Sequence, residues 1–142
     1  MEPLPDAVKQ FVTQAPVCRI ATVRATGEPH AIPVCPAFDP GANTVYVDLT
    51  RHGASARAIR ENPNVAALID EYHDDWSKLK AVILHCRAEP VEGSELERAW
   101  ELFHAKFPQG AAIGWTARLT LALRIRDWIE WGITQPLPYQ PE

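Results

Sequence analysis

Val17-Cys18-Arg19-Ile20-Ala21-Thr22-Val23-Arg24, followed by Ala25-Thr26-Gly27-Glu28 and then an apolar run over residues 31–38, decides how the chain starts to fold. The first eight residues are rich in strand formers, the next four carry turn chemistry, and the second run is apolar again, so the segment predicts a β-hairpin. Downstream, Asp39-Pro40-Gly41-Ala42-Asn43 reads as another turn, and Thr44-Val45-Tyr46-Val47-Asp48-Leu49 as a third strand of high β-propensity. Three antiparallel strands in succession are therefore expected. Upstream, Leu4, Val8, Phe11 and Val12 recur at helical spacing between Pro5-Asp6 and Pro16, which predicts a helix within residues 1–16.

Further along, the alanine-rich stretch 54–61 favours a two-turn helix that Asn62-Pro63 must end, because proline disfavours a helical residue before it. Residues 65–69 and 81–91 read as strands. Between them Asp70-Glu71-Tyr72-His73-Asp74-Asp75-Trp76 is a polar loop with aromatic anchors. Ser94-Glu95-Leu96-Glu97 has the pattern of a capping box that would start a helix at Ser94, with Leu96, Ala99, Trp100, Phe103 and Phe107 on one face. That spacing suits core packing better than cofactor stacking, and Trp100 is expected to be buried. The last strand alternates most clearly: Leu119, Leu121, Leu123 and Ile125 face one side, with Arg118, Thr120, Ala122, Arg124 and Arg126 on the other. The fold class expected is mainly β with α appendages, an antiparallel barrel of about six strands and three helices.

Size and composition narrow the function. A chain of 142 residues suits one domain, 1–142, ending in a proline-rich tail at 134–142 that holds no regular element. Acids and bases are mixed along its length and the net charge is −4, so no basic face offers itself to nucleic acid. No stretch approaches a membrane span, and Met1-Glu2-Pro3-Leu4-Pro5-Asp6 is unlike a signal peptide, so a cytoplasmic location without membrane contact is expected. Cys18, Cys35 and Cys86 are widely spaced among apolar neighbours, as reduced core thiols would be.

Chemistry-bearing motifs are sparse. No compact metal-ligand set occurs, and neither a nucleophile elbow nor a glycine-rich phosphate loop is present, so no metal ligand and no catalytic residue is assigned. One segment, Leu49-Thr50-Arg51-His52-Gly53-Ala54-Ser55-Ala56-Arg57, joins a strand end to a helix start and combines cations, hydroxyls and free helix amides. By its residues it is an anion-binding candidate, although an ordinary capped loop with surface arginines is the commoner reading because arginine is usually exposed.

The order of elements, with Arg19-Ile20-Ala21-Thr22-Val23, Gly27-Glu28-Pro29-His30-Ala31-Ile32-Pro33-Val34 and Ile59-Arg60-Glu61-Asn62-Pro63-Asn64-Val65-Ala66, resembles the pyridoxamine 5′-phosphate oxidase-like superfamily of flavin or deazaflavin split-barrel proteins. The loop from Asp70 to Leu79 is similar to that of a deazaflavin-dependent branch. The resemblance implies a split β-barrel and an oxidoreductase acting on a small-molecule substrate. It also implies FMN as cofactor, with a deazaflavin coenzyme or none as alternatives, held at the interface of a homodimer. It assigns the cofactor phosphate to Thr50, Arg51, Ser55 and Arg57, and the ring to Pro33, Val34 and Cys35. Where relatives that oxidise pyridoxamine phosphate present Ser-Arg-Lys, this chain has Gly53-Ala54-Ser55, which lacks two phosphate-binding cations. A cofactor-free or weakly binding dimeric module without catalysis is therefore the competing expectation.

Overall fold

The opening hairpin forms, but it is shorter than its hydrophobic run. In the computed structural model, which describes residues 2–112 and 118–138, β1 (Cys18–Val23) pairs antiparallel with β2 (Pro29–Val34). Gly27 supplies the left-handed turn residue at φ 85°. The second apolar run then breaks at Cys35-Pro36, since proline offers no N–H to continue a ladder. The chain restarts as β3 (Ala37–Asp39), which pairs with β4 (Thr44–Thr50). The expected single strand over 31–38 is thus two strands with different partners, and β4 never pairs with β2.

Helix α1 (Asp6–Gln14) buries Val8 and Val12. Helix α2 (Ala54–Glu61) buries Ser55, Ala56, Ala58 and Ile59, and ends at Asn62 as the following proline requires. Strands β5 (Asn64–Glu71), β6 (Lys80–Pro90) and β7 (Arg118–Trp131) complete an antiparallel sheet in the order β2-β1-β5-β6-β7-β4-β3. Seven strands replace the expected six. Four strands separate β2 from β4 in hydrogen-bonded order, yet Ile32, Pro33 and Val34 line the same cleft as Asp48, Leu49 and Thr50. The sheet therefore curls into a half-barrel whose ends approach without pairing.

Inside lies the main core, with Ile20, Val45, Val47, Val82, Leu84 and Leu121 fully buried. Outside, helix α3 (Gly93–Lys106) lies over β3, β4 and β7 and builds a second, smaller core from Ala99 and Phe103 against Ala37, Tyr46 and Ala122. This corrects the simple alternation expected of β7, because Thr120 and Ala122 on its polar side are buried too. The capping box does not form either. The cap position is Glu92, without a side-chain cap, and Glu95 instead accepts from Arg124 Nη1 (2.5 Å) and Nη2 (2.8 Å) and from Tyr46 Oη (2.8 Å). A helix-to-sheet ion pair with two parallel bonds outweighs a local cap. Trp100 remains 38% exposed. Its Nε1 donates to Thr120 Oγ1 at 3.1 Å and the Arg118 guanidinium stacks 4.8 Å from its ring.

Lys106, at the end of α3, donates to Ala15 O (2.5 Å) and Pro36 O (2.8 Å), tying α1 and the β2–β3 corner to the helix. Burial lowers its pKa. Cys18 and Cys86 are buried as expected, whereas Cys35 is exposed at the end of β2. Tyr72 and Trp76, read as loop anchors, are instead 68% and 57% exposed. Of the tail, residues 132–138 carry no regular element. Its remainder, with Pro141, lies outside the described residues.

Candidate functional site

Between β2, the end of β4 and the start of α2 lies a cleft of about 260 Å³. Its walls follow from strand parity and from the tight β4–α2 connection, in which Gly53 N–H donates to Thr50 O at 3.0 Å. The lining comprises His30, Ile32, Pro33 and Val34 on one side, Asp48, Leu49 and Thr50 on the other, and Gly53, Ala54, Ser55 and Ala56 at the floor. The first backbone bond into α2 from its cap runs from Arg57 N–H to Gly53 O. Helix geometry therefore leaves the amides of Ala54, Ser55 and Ala56 without intrahelical acceptors. Gly53, the N-cap, has no side chain to satisfy them.

Ser55 is 5% exposed, and its Oγ is buried without a hydrogen-bond partner among the described residues. Buried hydroxyls are ordinarily paired, so an orphan beside three free amides at a helix start is the polarity an anion would complete. Asp48, the carboxylate of this cleft, is already committed: Oδ2 accepts from Arg118 Nε (2.7 Å) and Oδ1 from Thr120 Oγ1 (2.6 Å). Burial raises its pKa, opposed by the Thr120 bond and by Arg118.

Of the residues assigned from sequence, Pro33, Val34, Thr50 and Ser55 come together in this cleft. Cys35 and Arg51 do not line it. Arg51 is exposed and its Nη2 donates to Arg118 O at 2.9 Å. Arg57 lies next door, in a second cleft of about 390 Å³ lined by Arg24, Ala25, Thr26, Ala54, Ala58, Arg60 and Glu61. Among the described residues, no lysine or arginine therefore lines the cleft at the start of α2. His30, Asp48, Arg24 and Arg60 escaped the sequence reading of the site. Alternation along the hairpin places Ile32 opposite Ile20, but nothing in the sequence says that β2 faces β4 across a gap.

On the far side of the sheet, the register aligns Ala21 with Ala66, Leu68 with Ile83, Ile83 with Ile129 and Ala81 with Trp131. Val23, Ile129 and Trp131 are 38%, 49% and 42% exposed on this outward face. Trp128, three residues before Trp131 on the same strand, points inward and packs against the main core. The cause is a bulge: β6 and β7 shift register between His85, opposite Asp127, and Cys86, opposite Ile125. Arg126 is the extra residue and reverses the parity beyond it. Also on this face, His85 Nδ1 pairs with Asp127 Oδ1. Among the described residues no cluster of three potential metal ligands occurs, and no helix is long and apolar enough to cross a membrane.

Residues 4–132 match the model of the pyridoxamine 5′-phosphate oxidase family. Among solved structures, a haem-binding protein from Mycobacterium smegmatis superimposes with a TM-score of 0.76 at 21% identity, over 91% of this chain and 55% of the other. This chain thus spans little more than half of that protein. The haem storage protein HutZ of Vibrio cholerae gives 0.74 at 17% identity, over 92% of this chain and 94% of the other. An FAD-binding protein from Mesorhizobium loti gives 0.70 at 21% identity, over 89% and 94%. No curated protein matches the sequence. Identities this low establish a shared split-barrel fold.

Proposed function

Because this chain belongs to the pyridoxamine 5′-phosphate oxidase family, we propose that it is a flavin- or deazaflavin-dependent oxidoreductase holding its cofactor in the cleft between β2, β4 and α2. The carrying observation is the unpaired, buried Ser55 Oγ beside the free amides of α2. Those amides, Ser55 and the Thr50 hydroxyl would bind the phosphate, with Gly53 and Ala54 small enough to let it reach the backbone. Ile32, Pro33, Val34 and Leu49 form an apolar wall that would orient the ring and exclude water. The bound cofactor supplies hydride or electron transfer. Asp48, held by Arg118 and Thr120, would steady the cleft wall. Titration of the purified protein with FMN and with a deazaflavin, followed by absorbance and melting temperature, tests this. Saturating ligand at a hundredfold excess over Kd should add about 2.7 kcal/mol. An unchanged melting temperature with both would return the chain to a cofactor-free module.

The same reading includes a second copy of the chain. Val23, Leu68, Ile83, Ile129 and Trp131 form an outward apolar face on β1, β5, β6 and β7. A twofold partner would cover it with one self-complementary patch. Sedimentation equilibrium at micromolar protein should give twice the 15.8 kDa of one chain. A monomer mass would remove the shared-site arrangement.

His85 favours a second reading. Its imidazole is half-exposed, and a histidine whose other nitrogen is held by a carboxylate is the arrangement found on metal-ligating histidines. Two structural neighbours bind or store haem. A Soret band on haem titration that disappears in His85→Ala would support a haem site on this face, and its persistence would refute one.

A further inference from the structure

The cations that the phosphate cleft lacks are gathered one helical turn further along α2. Arg57 and Arg60, three residues apart, share a face of that helix, and Arg24 reaches the same space from the β1–β2 turn. The cleft they line, about 390 Å³, adjoins the first one, and Ala54 lines both. Arg57 Nη1 donates to His52 O (2.9 Å) and Arg60 Nη2 to Arg51 O (2.8 Å). Each guanidinium is thereby steadied while keeping further N–H donors. The Arg24 side chain is exposed and lines this cleft. Glu61 is the sole acid of the lining, so this cleft is net cationic, whereas the first offers backbone amides, hydroxyls and an Asp48 carboxylate paired to Arg118.

We infer that the second cleft is a subsite for a second phosphate, and that the cofactor of this chain is a dinucleotide flavin rather than a mononucleotide. The inference rests on the flavin reading above and extends it. One phosphate would meet the start of α2 at Ser55, and the next would meet Arg24, Arg57 and Arg60. A guanidinium fork suits phosphate oxygens, and three of them around one space give charge without a dedicated loop. The first cleft alone falls below the ~300–1,000 Å³ typical of ligand sites, the arginine cleft of about 390 Å³ lies near its lower end, and the two together are well inside it. The open side of the arginine cleft, between a turn and an exposed helix face, leaves room for the nucleoside beyond the second phosphate.

The test compares FMN and FAD on the intact protein by fluorescence titration, with Arg24→Ala and Arg24→Ala/Arg60→Ala as variants. These side chains are exposed and outside both cores, and an unchanged melting temperature without ligand checks folding. FAD should bind about tenfold or more tightly than FMN. The double variant should lose that preference while keeping the wild-type Kd for FMN, and Arg24→Ala should lose part of it. Equal affinities for the two flavins in the wild type would overturn the second subsite and leave the flavin reading standing. An equal loss of FMN and FAD affinity in the double variant would overturn it too, by placing a single phosphate among the arginines. Failure of both flavins to bind would overturn the second subsite, and failure of a deazaflavin as well would overturn the reading on which it rests.

Discussion

Ser55→Ala should move stability and binding in opposite directions. In the ligand-free chain the hydroxyl is buried and unpaired, a state that costs about 1–3 kcal/mol in mutational series. Alanine removes that cost. It also suits the first turn of α2 slightly better, by a few tenths of a kcal/mol, against which stands a small loss of packing. The net expectation is a gain of about 1–2 kcal/mol, or roughly 3–8 °C in Tm for a chain of this size. If the phosphate sits at the start of α2, the same change deletes a hydrogen bond to a charged acceptor, worth about 1.5 kcal/mol, and Kd should rise a little over tenfold. Thermal melts without ligand and fluorescence titration with flavin read the two effects separately. A variant less stable than wild type would show that the hydroxyl is satisfied by something else. A more stable variant with unchanged Kd would show that the orphan hydroxyl is unrelated to the ligand.

Gly132→Ala should cost about 2–4 kcal/mol, because φ is 68° and a Cβ there would stand 2.0 Å from the carbonyl oxygen of Leu79; a urea midpoint near wild type would contradict it. Trp100→Ala should cost only about 1.5–2.5 kcal/mol, since the ring is 38% exposed and chiefly loses contact with Arg118 and Thr120; a loss above about 4 kcal/mol on denaturation would mean full burial. Hydrogen bonds from Arg124 hold Glu95 below its ordinary pKa of 4.5. Its contribution is therefore present above that pH and lost as pH falls through the lower folded value, so Glu95→Gln should flatten the acid limb of the stability profile. Burial pushes Tyr46 from 10.0 up to about 12, so its contribution is complete below pH 10 and lost as pH rises towards 12; a Tyr46→Phe melt unchanged in its alkaline limb would refute this. Burial likewise pushes the Cys18 and Cys86 thiols up to about 12 while Cys35 is exposed; Ellman's reagent should titrate one thiol in the native protein and three in denaturant.

Local chemistry made much of the fold legible. The Arg24–Glu28 turn, the α2 stretch ended by Asn62-Pro63, and the alternation of Leu119, Leu121 and Leu123 each rest on interactions within a few residues. The connection from Thr50 to Ser55 was legible for the same reason, since a strand end, a glycine cap and a helix start are sequential features. Tertiary structure decided the rest. The break at Cys35-Pro36 hands β3 to β4, because pairing partners are chosen by which edges meet and not by sequence neighbours. The unformed box at Ser94 and the Glu95–Arg124 pair reflect competition between a local cap and a distant strand, which only packing resolves. The Arg126 bulge turns Trp128 inward and Trp131 outward, although period-two alternation read through the strand predicts neither. Most consequential for the site, Arg57 lines the arginine cleft and not the cleft at the start of α2, while Arg24, about thirty residues earlier, joins it there. Sequence alone fixed which charges this chain carries and on which elements, since propensity and periodicity act over a few residues. The clefts those charges share depended on the curvature of a sheet whose ends meet only in three dimensions, a property of long-range strand pairing that no local pattern encodes.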